Sequence, residues 1–277
     1  MTAGAAPIRV GIGGWTFDAW NETFYPPEVK KKDQLEYAAS KLRTIEINGT
    51  YYRGQKPETF AKWAAATPDE FVFSVKGSRF VTNRKVLAEA GESMAKFFAT
   101  GVTELGDRLG PILWQLAPTK KFDADDFAAF LDLLPMRHDG VSLRHAVEVR
   151  HESFNTPEAV GIARARNLAI VGALHETYPA IWDVTADFVY VRLQTGSDDI
   201  ETCYGGNELA AWTERLRQWA DGGAPDDLPL VDPASPAENR PREVFCYLIG
   251  SGKSRAPAGA MALQARIDGA TDEERDR

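Results

Sequence analysis

The run Ile8-Arg9-Val10-Gly11-Ile12-Gly13-Gly14-Trp15 is rich in branched aliphatic residues and ends in glycines. It reads as a first β-strand. Its glycines do not form the GxGxxG pattern, and the residues that follow do not open a helix, so a dinucleotide-binding turn is not indicated. Comparable runs recur downstream at Thr44–Asn48, Phe71–Lys76, Pro111–Leu116, Ala146–Arg150, Leu168–Leu174, Phe188–Leu193 and Val244–Ile249. The eight runs repeat about every 34 residues, close to the length of a strand–helix–strand unit. Helical spacing fills most gaps: Asp33–Leu42, Lys56–Ala66, Asn83–Gly101, Asp123–Leu134, Thr156–Asn167, Asn207–Ala220 and Ala256–Ile267. Thr177–Asp187 holds Pro179 and lacks such spacing. Strands alternating with helices pair in parallel, and eight of them favour a closed α/β (β/α)8 TIM-type barrel over an open doubly wound sheet. The helix between strands six and seven is expected to be missing.

Composition sets the outer limits. The chain has 277 residues, 44% of them hydrophobic, with seven Trp and a net charge of −8. These values fit a packed core and disfavour a broad nucleic-acid surface. Residues 1–270 are expected to form one barrel domain. Within it, 221–243, with Pro225, Pro229, Pro233, Pro236 and Pro241, reads as a surface loop, and the charged segment 271–277 as a frayed tail. The two cysteines, Cys203 and Cys246, are too few for a disulfide scaffold. The N-terminus lacks the charged and apolar regions of a signal peptide, and uninterrupted apolar runs of about 18 residues are missing. A cytoplasmic location and no membrane partner are expected.

Residues two apart on a strand share a face, so polar residues late in the strands gather at one end of a barrel. Glu46 and Asn48, Ser74 and Lys76, Gln115, Glu148 and Arg150, and Arg192 and Gln194 all fall there, with Trp15 ending strand one and Tyr51-Tyr52 following strand two. Burying such charges unpaired costs several kcal/mol each, so a converging set indicates a pocket, although Glu148–Arg150 alone would serve as a structural ion pair. Lys76, Arg150 and Arg192 suit an anionic small molecule, and Glu46, Glu148 and Lys76 suit proton transfer. Asn48, Trp15, Tyr51, Gln115 and Gln194 would line the pocket. His138, His145, His151 and His175 show no metal-ligand spacing, so neither metal nor cofactor is expected. Ser251-Gly252-Lys253 lacks the upstream glycines of a phosphate-binding loop.

Gly11–Trp15 with Trp20 and Phe24-Tyr25-Pro26, Glu46–Tyr52, Phe71–Lys76, Leu109–Pro118, Val147–His151 and Tyr190–Leu193 together resemble the YecE-like family of bacterial and archaeal proteins. The resemblance covers most of the chain in order. It implies a TIM-barrel-like fold and leaves the reaction open. It also implies departures: Gln194-Thr195 stands where the family has His-Gly, Leu248-Ile249-Gly250 where it has a Phe-Asn-Asn-like run, and Gly259 where it has Asn. The leading expectation is an enzyme of isomerase, lyase or hydrolase type acting on a small phosphorylated or carboxylated metabolite. The alternatives are a barrel that binds such a ligand without turnover and, against the acidic charge, a metal-dependent nucleic-acid enzyme.

Overall fold

The computed structural model describes residues 6–269; the expected frayed tail 271–277 lies outside them. Eight parallel strands follow the chain: β1 (Ile8–Gly13), β2 (Thr44–Ile47), β3 (Val72–Lys76), β4 (Leu109–Gln115), β5 (His145–Glu148), β6 in two pieces (Ala169–Ile170 and Gly172–Leu174), β7 (Phe188–Thr195) and β8 (Glu243–Ser251). The first piece of β6 pairs with β5 and the second with β7, while β1 sits between β8 and β2. The sheet therefore curls into a TIM-type barrel whose seam runs through the broken β6. A separate two-stranded hairpin, Arg137–His138 and Val141–Ser142, precedes β5.

Seven helices of eight or more residues follow strands: α1 (Gln34–Lys41), α2 (Pro57–Ala65), α3 (Gly91–Phe98), α4 (Ala124–Asp132), α5 (Pro157–Arg164), α6 (Gly206–Ala220) and α7 (Ala256–Ile267). Their starts follow local chemistry. Pro57 and Pro157 occupy first-turn positions where no donor is lost. Asp123 accepts from the Asp126 amide at 2.9 Å, and Thr156 from that of Ala159 at 3.2 Å. The helical spacing over Asn83–Gly101 is realised only in its second half. Before Gly91 it winds only as a short 3-10 turn, Leu87–Glu89, while the Ala88 amide donates to Asp126 and Lys120 Nζ donates to the Lys85 carbonyl, tying the segment to α4.

No helix lies between β6 and β7. The thirteen residues 175–187, with Pro179 among them, barely reach the length of a helical crossover. Trp182 takes the helix's place, with its ring so close over β6 that a Cβ on Gly172 would lie 2.7 Å from it. Thr185 Oγ1 accepts from the Ile170 amide and donates to the Leu168 carbonyl. The segment 221–243 closes over this gap. Asp183 accepts from the amides of Val231 and Asp232, Arg164 pairs with Asp232 at 3.3 Å, and buried Arg242 donates to four backbone carbonyls. Most of the segment is exposed as expected, but it is anchored.

The barrel interior is layered. At the N-terminal end, Glu243 accepts from Arg9 at 2.7 Å and from Arg144 at 2.5 Å, and Arg144 lies over the rings of Phe188 and Phe245. Above comes an apolar and aromatic layer of Val72, Leu113, Ala146, Phe188, Tyr190, Phe245 and Tyr247. Each of the four aromatics, fully buried, contributes about 1.5–3 kcal/mol. The next residues of the same inward parity are the charged ones.

Candidate functional site

Inward parity brings the charged residues to one end of the barrel, where their side chains, rather than a common register, join them. Glu46 is level with Ser74, Gln115 with Glu148, and Arg192 with Tyr247. Glu46 and Glu148 are wholly buried, and Arg192 is 4% exposed. Arg192 joins the two carboxylates: Nη2 donates to Glu46 Oε1 at 3.0 Å, and Nη1 donates to Glu148 Oε2 and to Gln115 Oε1 at 3.3 Å. Arg150 adds Nε to Glu148 Oε1 and Nη2 to Gln115 Oε1, both at 2.7 Å. The other Glu46 oxygen accepts from Tyr190 Oη at 2.7 Å, and Ser74 Oγ lies 2.8 Å from Tyr190 Oη and 2.9 Å from the Pro111 carbonyl, with one proton to donate to either. The charged layer is thus fastened to the aromatic one beneath.

The electrostatics follow from this packing. Burial pushes the Glu148 carboxyl up, but the guanidiniums of Arg192 and Arg150 outweigh it and hold the group below the usual carboxylate range. Burial works against charge on Arg192 too, and the carboxylates of Glu148 and Glu46 overcome it, raising its pKa. Tyr190 is raised well above 10 by burial and by the Glu46 charge, so it remains a donor.

Lys76 differs from its neighbours. It is 7% exposed, and among the described residues it makes neither an ion pair within 4 Å nor a hydrogen bond through Nζ. Its Nζ sits over the Tyr51 ring, 4.6 Å from the centroid. Burial, with Arg192 and Arg150 nearby, lowers its pKa from 10.5 to about 8, against the pull of Glu46 and Glu148. Two donors at this end are buried without partners: Arg192 Nε and Gln194 Nε2.

Of the remaining expected residues, Gln115 joins the cluster by bridging Arg150 and Arg192. Asn48 sits at the β1–β2 edge and packs close over Gly13, where a Cβ would lie 2.8 Å from its Nδ2. Trp15 is placed elsewhere. It packs edge-on against Trp63 at 5.1 Å and near Phe73 at 6.3 Å, in the layer between barrel and helices. Sequence reasoning missed Tyr190, although its parity with Arg192 marks it as inward. It also missed Tyr178, whose ring faces the Arg150 guanidinium at 4.5 Å and stacks on His175 at 3.9 Å. Tyr178 lies in the loop after β6, where no periodicity signals direction.

His145, His151 and Cys203 have structural partners. His145 accepts from Trp114 Nε1 and donates to the Pro135 carbonyl, and burial lowers its pKa to about 4. His151 accepts from the Ser153 amide. Among the described residues no three His, Cys, Asp or Glu gather as a metal-ligand set. No described helix is long and apolar enough to cross a membrane. Cys203 is wedged among glycines: a Cβ on Gly196, Gly252 or Gly259 would lie 2.2–2.8 Å from its side chain. Burial raises its thiol to about 11.

Residues 9–276 match the family model described as "Protein of unknown function DUF72". The chain belongs to this family. It is 28% identical over 150 residues to the UPF0759 protein YecE of Escherichia coli, covering 53% of this chain and 50% of that protein. With the UPF0759 protein YunF of Bacillus subtilis it shares 24% over 155 residues, covering 54% and 53%. The matched stretches thus span about half the length of these curated relatives. A DUF72 family protein from Thermotoga maritima superposes with a TM-score of 0.73 at 22% identity, over 95% of this chain and 99% of that one, and shares the barrel fold.

Proposed function

We propose that this DUF72 barrel is an enzyme that binds a small metabolite by its carboxylate or phosphate group at the C-terminal end of the strands and moves a proton on it. The observation carrying this reading is a surplus of buried donors. Three cations, Lys76, Arg150 and Arg192, face two carboxylates; Arg192 Nε and Gln194 Nε2 are buried without a partner, and Lys76 Nζ makes neither an ion pair nor a hydrogen bond among the described residues. An unsatisfied buried donor costs about 1–3 kcal/mol, and an anion seated there would recover that cost. With its pKa lowered to about 8, Lys76 takes the proton-transfer role. Glu46 and Glu148 hold Arg192 in place and stand by as proton acceptors. Tyr51 and Tyr178 form the walls.

The test is thermal denaturation with phosphate, pyruvate or glyoxylate, using chloride to fix ionic strength. Stabilisation that saturates, approaching about 2.7 kcal/mol at 100 times Kd, and weakens in Lys76→Met and Arg150→Met is expected. Equal shifts in both variants, or none in the native protein, would overturn the reading. A second reading, binding without turnover, draws on the β7–β8 side. Gln194 offers no acid/base group, and a Cβ on Gly259 would meet the Thr202 carbonyl at 2.6 Å, leaving no room for a larger side chain. Binding without conversion of any bound anion would favour it.

A further inference from the structure

We propose that Lys76 is a covalent catalyst that forms an imine with the carbonyl carbon of an anionic aldehyde or ketone, which the anion-binding reading above brings into the barrel mouth. The geometry separates Lys76 from every other lysine described. A structural buried lysine would hold a carboxylate, yet here both nearby carboxylates are committed elsewhere: Glu148 to Arg192 and Arg150, Glu46 to Arg192 and Tyr190. The amine is left with only the face of Tyr51. An aromatic face stabilises an ammonium and an iminium alike, and so do the two carboxylates near it. Burial makes the neutral amine accessible close to neutral pH.

The step balances without a further reactant. The neutral amine attacks the carbonyl carbon, forming a C–N bond and a carbinolamine, and loss of the oxygen as water gives the iminium. Starting from the ammonium form, two of its three protons leave with that oxygen and the third stays on nitrogen. Charge is unchanged, so the balance of the five charged groups is the same before and after. The ligand's carboxylate or phosphate would meanwhile take the open donors Arg192 Nε and Gln194 Nε2. The iminium then acts as an electron sink for bond breaking or proton loss at the adjacent carbon.

Reductive trapping of the full chain tests this, with glyoxylate as the anionic aldehyde, formaldehyde as the uncharged one and cyanoborohydride as reductant. The adduct is mapped by peptide mass against exposed Lys32 and Lys96, whose side chains are 79% and 74% accessible. The expected result is glyoxylate labelling of Lys76 at least about tenfold faster than of either reference lysine at pH 7.5, as a lowered pKa allows. The Lys76 rate should be half-maximal near pH 8, be lower in Arg150→Met, and leave no adduct at this position in Lys76→Met. Labelling of Lys76 no faster than Lys96 by either aldehyde would overturn the proposal. Should glyoxylate still raise the melting temperature in that case, the anion-binding reading stands and only the imine falls. Should neither effect occur, both fall.

Discussion

The barrel carries an arginine–carboxylate cluster at each end, and the two are built differently. At the N-terminal end one carboxylate, Glu243, takes Arg9 on one oxygen and Arg144 on the other, with side-chain exposures of 19–34%. At the C-terminal end Glu148 likewise takes Arg150 and Arg192, but it is fully buried, as is Glu46, and the cluster keeps donors with no partner. The lower cluster is closed on itself and stays partly in water, so its charges cost little to keep. The upper one carries the desolvation penalty of charges taken out of water and leaves it only partly compensated. Such an arrangement is what the proposed anion-binding role would call for, since stability alone gains nothing from it.

Truncating one arginine in each cluster should break this comparison most visibly. Arg192→Met would strand Glu46 and Glu148 together without their shared cation, a loss of about 3–5 kcal/mol. Arg144→Met removes a partly solvated pair and should cost about 1 kcal/mol. Urea unfolding monitored by tryptophan fluorescence reads both. Comparable losses would mean that the two ends are the same kind of structural plug.

The pH dependence sharpens the contrast from the other side. The Lys76 pKa is lower in the folded chain, about 8, than its ordinary 10.5. Between these values the unfolded state binds more protons, so stability rises with pH, and the cost of the buried charge is present in full below about 8. Lys76→Met should abolish that rise and leave the protein more stable at pH 7, by on the order of 3 kcal/mol. Glu148 acts at the acid end. Its pKa is lowered, so its contribution is present above the usual carboxylate range and lost as pH falls through the lowered value. A rise between pH 8 and 10.5 that persists in the variant would show that Lys76 is not the titrating group.

Arg150 sits between structure and binding. Its pair with Glu148 is duplicated by Arg192, so Arg150→Met should fold. Phosphate affinity should fall by about 1.5–3 kcal/mol, the worth of one charged hydrogen bond, as measured by calorimetric titration. Unchanged affinity would reduce Arg150 to a second support for Glu148.

Most of the barrel and the composition of its charged layer are legible in the sequence, for a physical reason. Strand parity and the repeat of strand and helix act locally, and parity alone sends Glu46, Lys76, Gln115, Glu148, Arg150 and Arg192 to one end. The pairing within that end is not legible. Arg192 and Glu46 are 146 residues apart, and a single sequence does not encode which of several inward carboxylates an arginine reaches. Nor did glycine-rich Gly11–Trp15 show that Trp15 turns outward to Trp63. The segment 221–243 was legible as loop, but not as the cover for the missing helix, because its anchors are backbone amides held by Asp183.

The smallest expected effect is the most diagnostic of purpose. Gln194 is 8% exposed, its Nε2 is buried without a partner, and it lies two residues beyond Arg192 on the inward face of β7. An amide in such a place loses its water and receives nothing in return, whereas leucine has nearly the same length and no donor to desolvate. Gln194→Leu should therefore leave stability unchanged or raise it by about 1 kcal/mol. If the amide exists to meet a ligand, the same substitution should reduce the thermal shift produced by phosphate or glyoxylate while the ligand-free protein melts at or above the native temperature. A structural amide gives the opposite pair of results, lower stability with an unchanged ligand shift. That outcome would move Gln194 from the proposed pocket to the packing of β7 against β8, where a Cβ on Gly250 would lie within 3.0–3.3 Å of its backbone and Cβ.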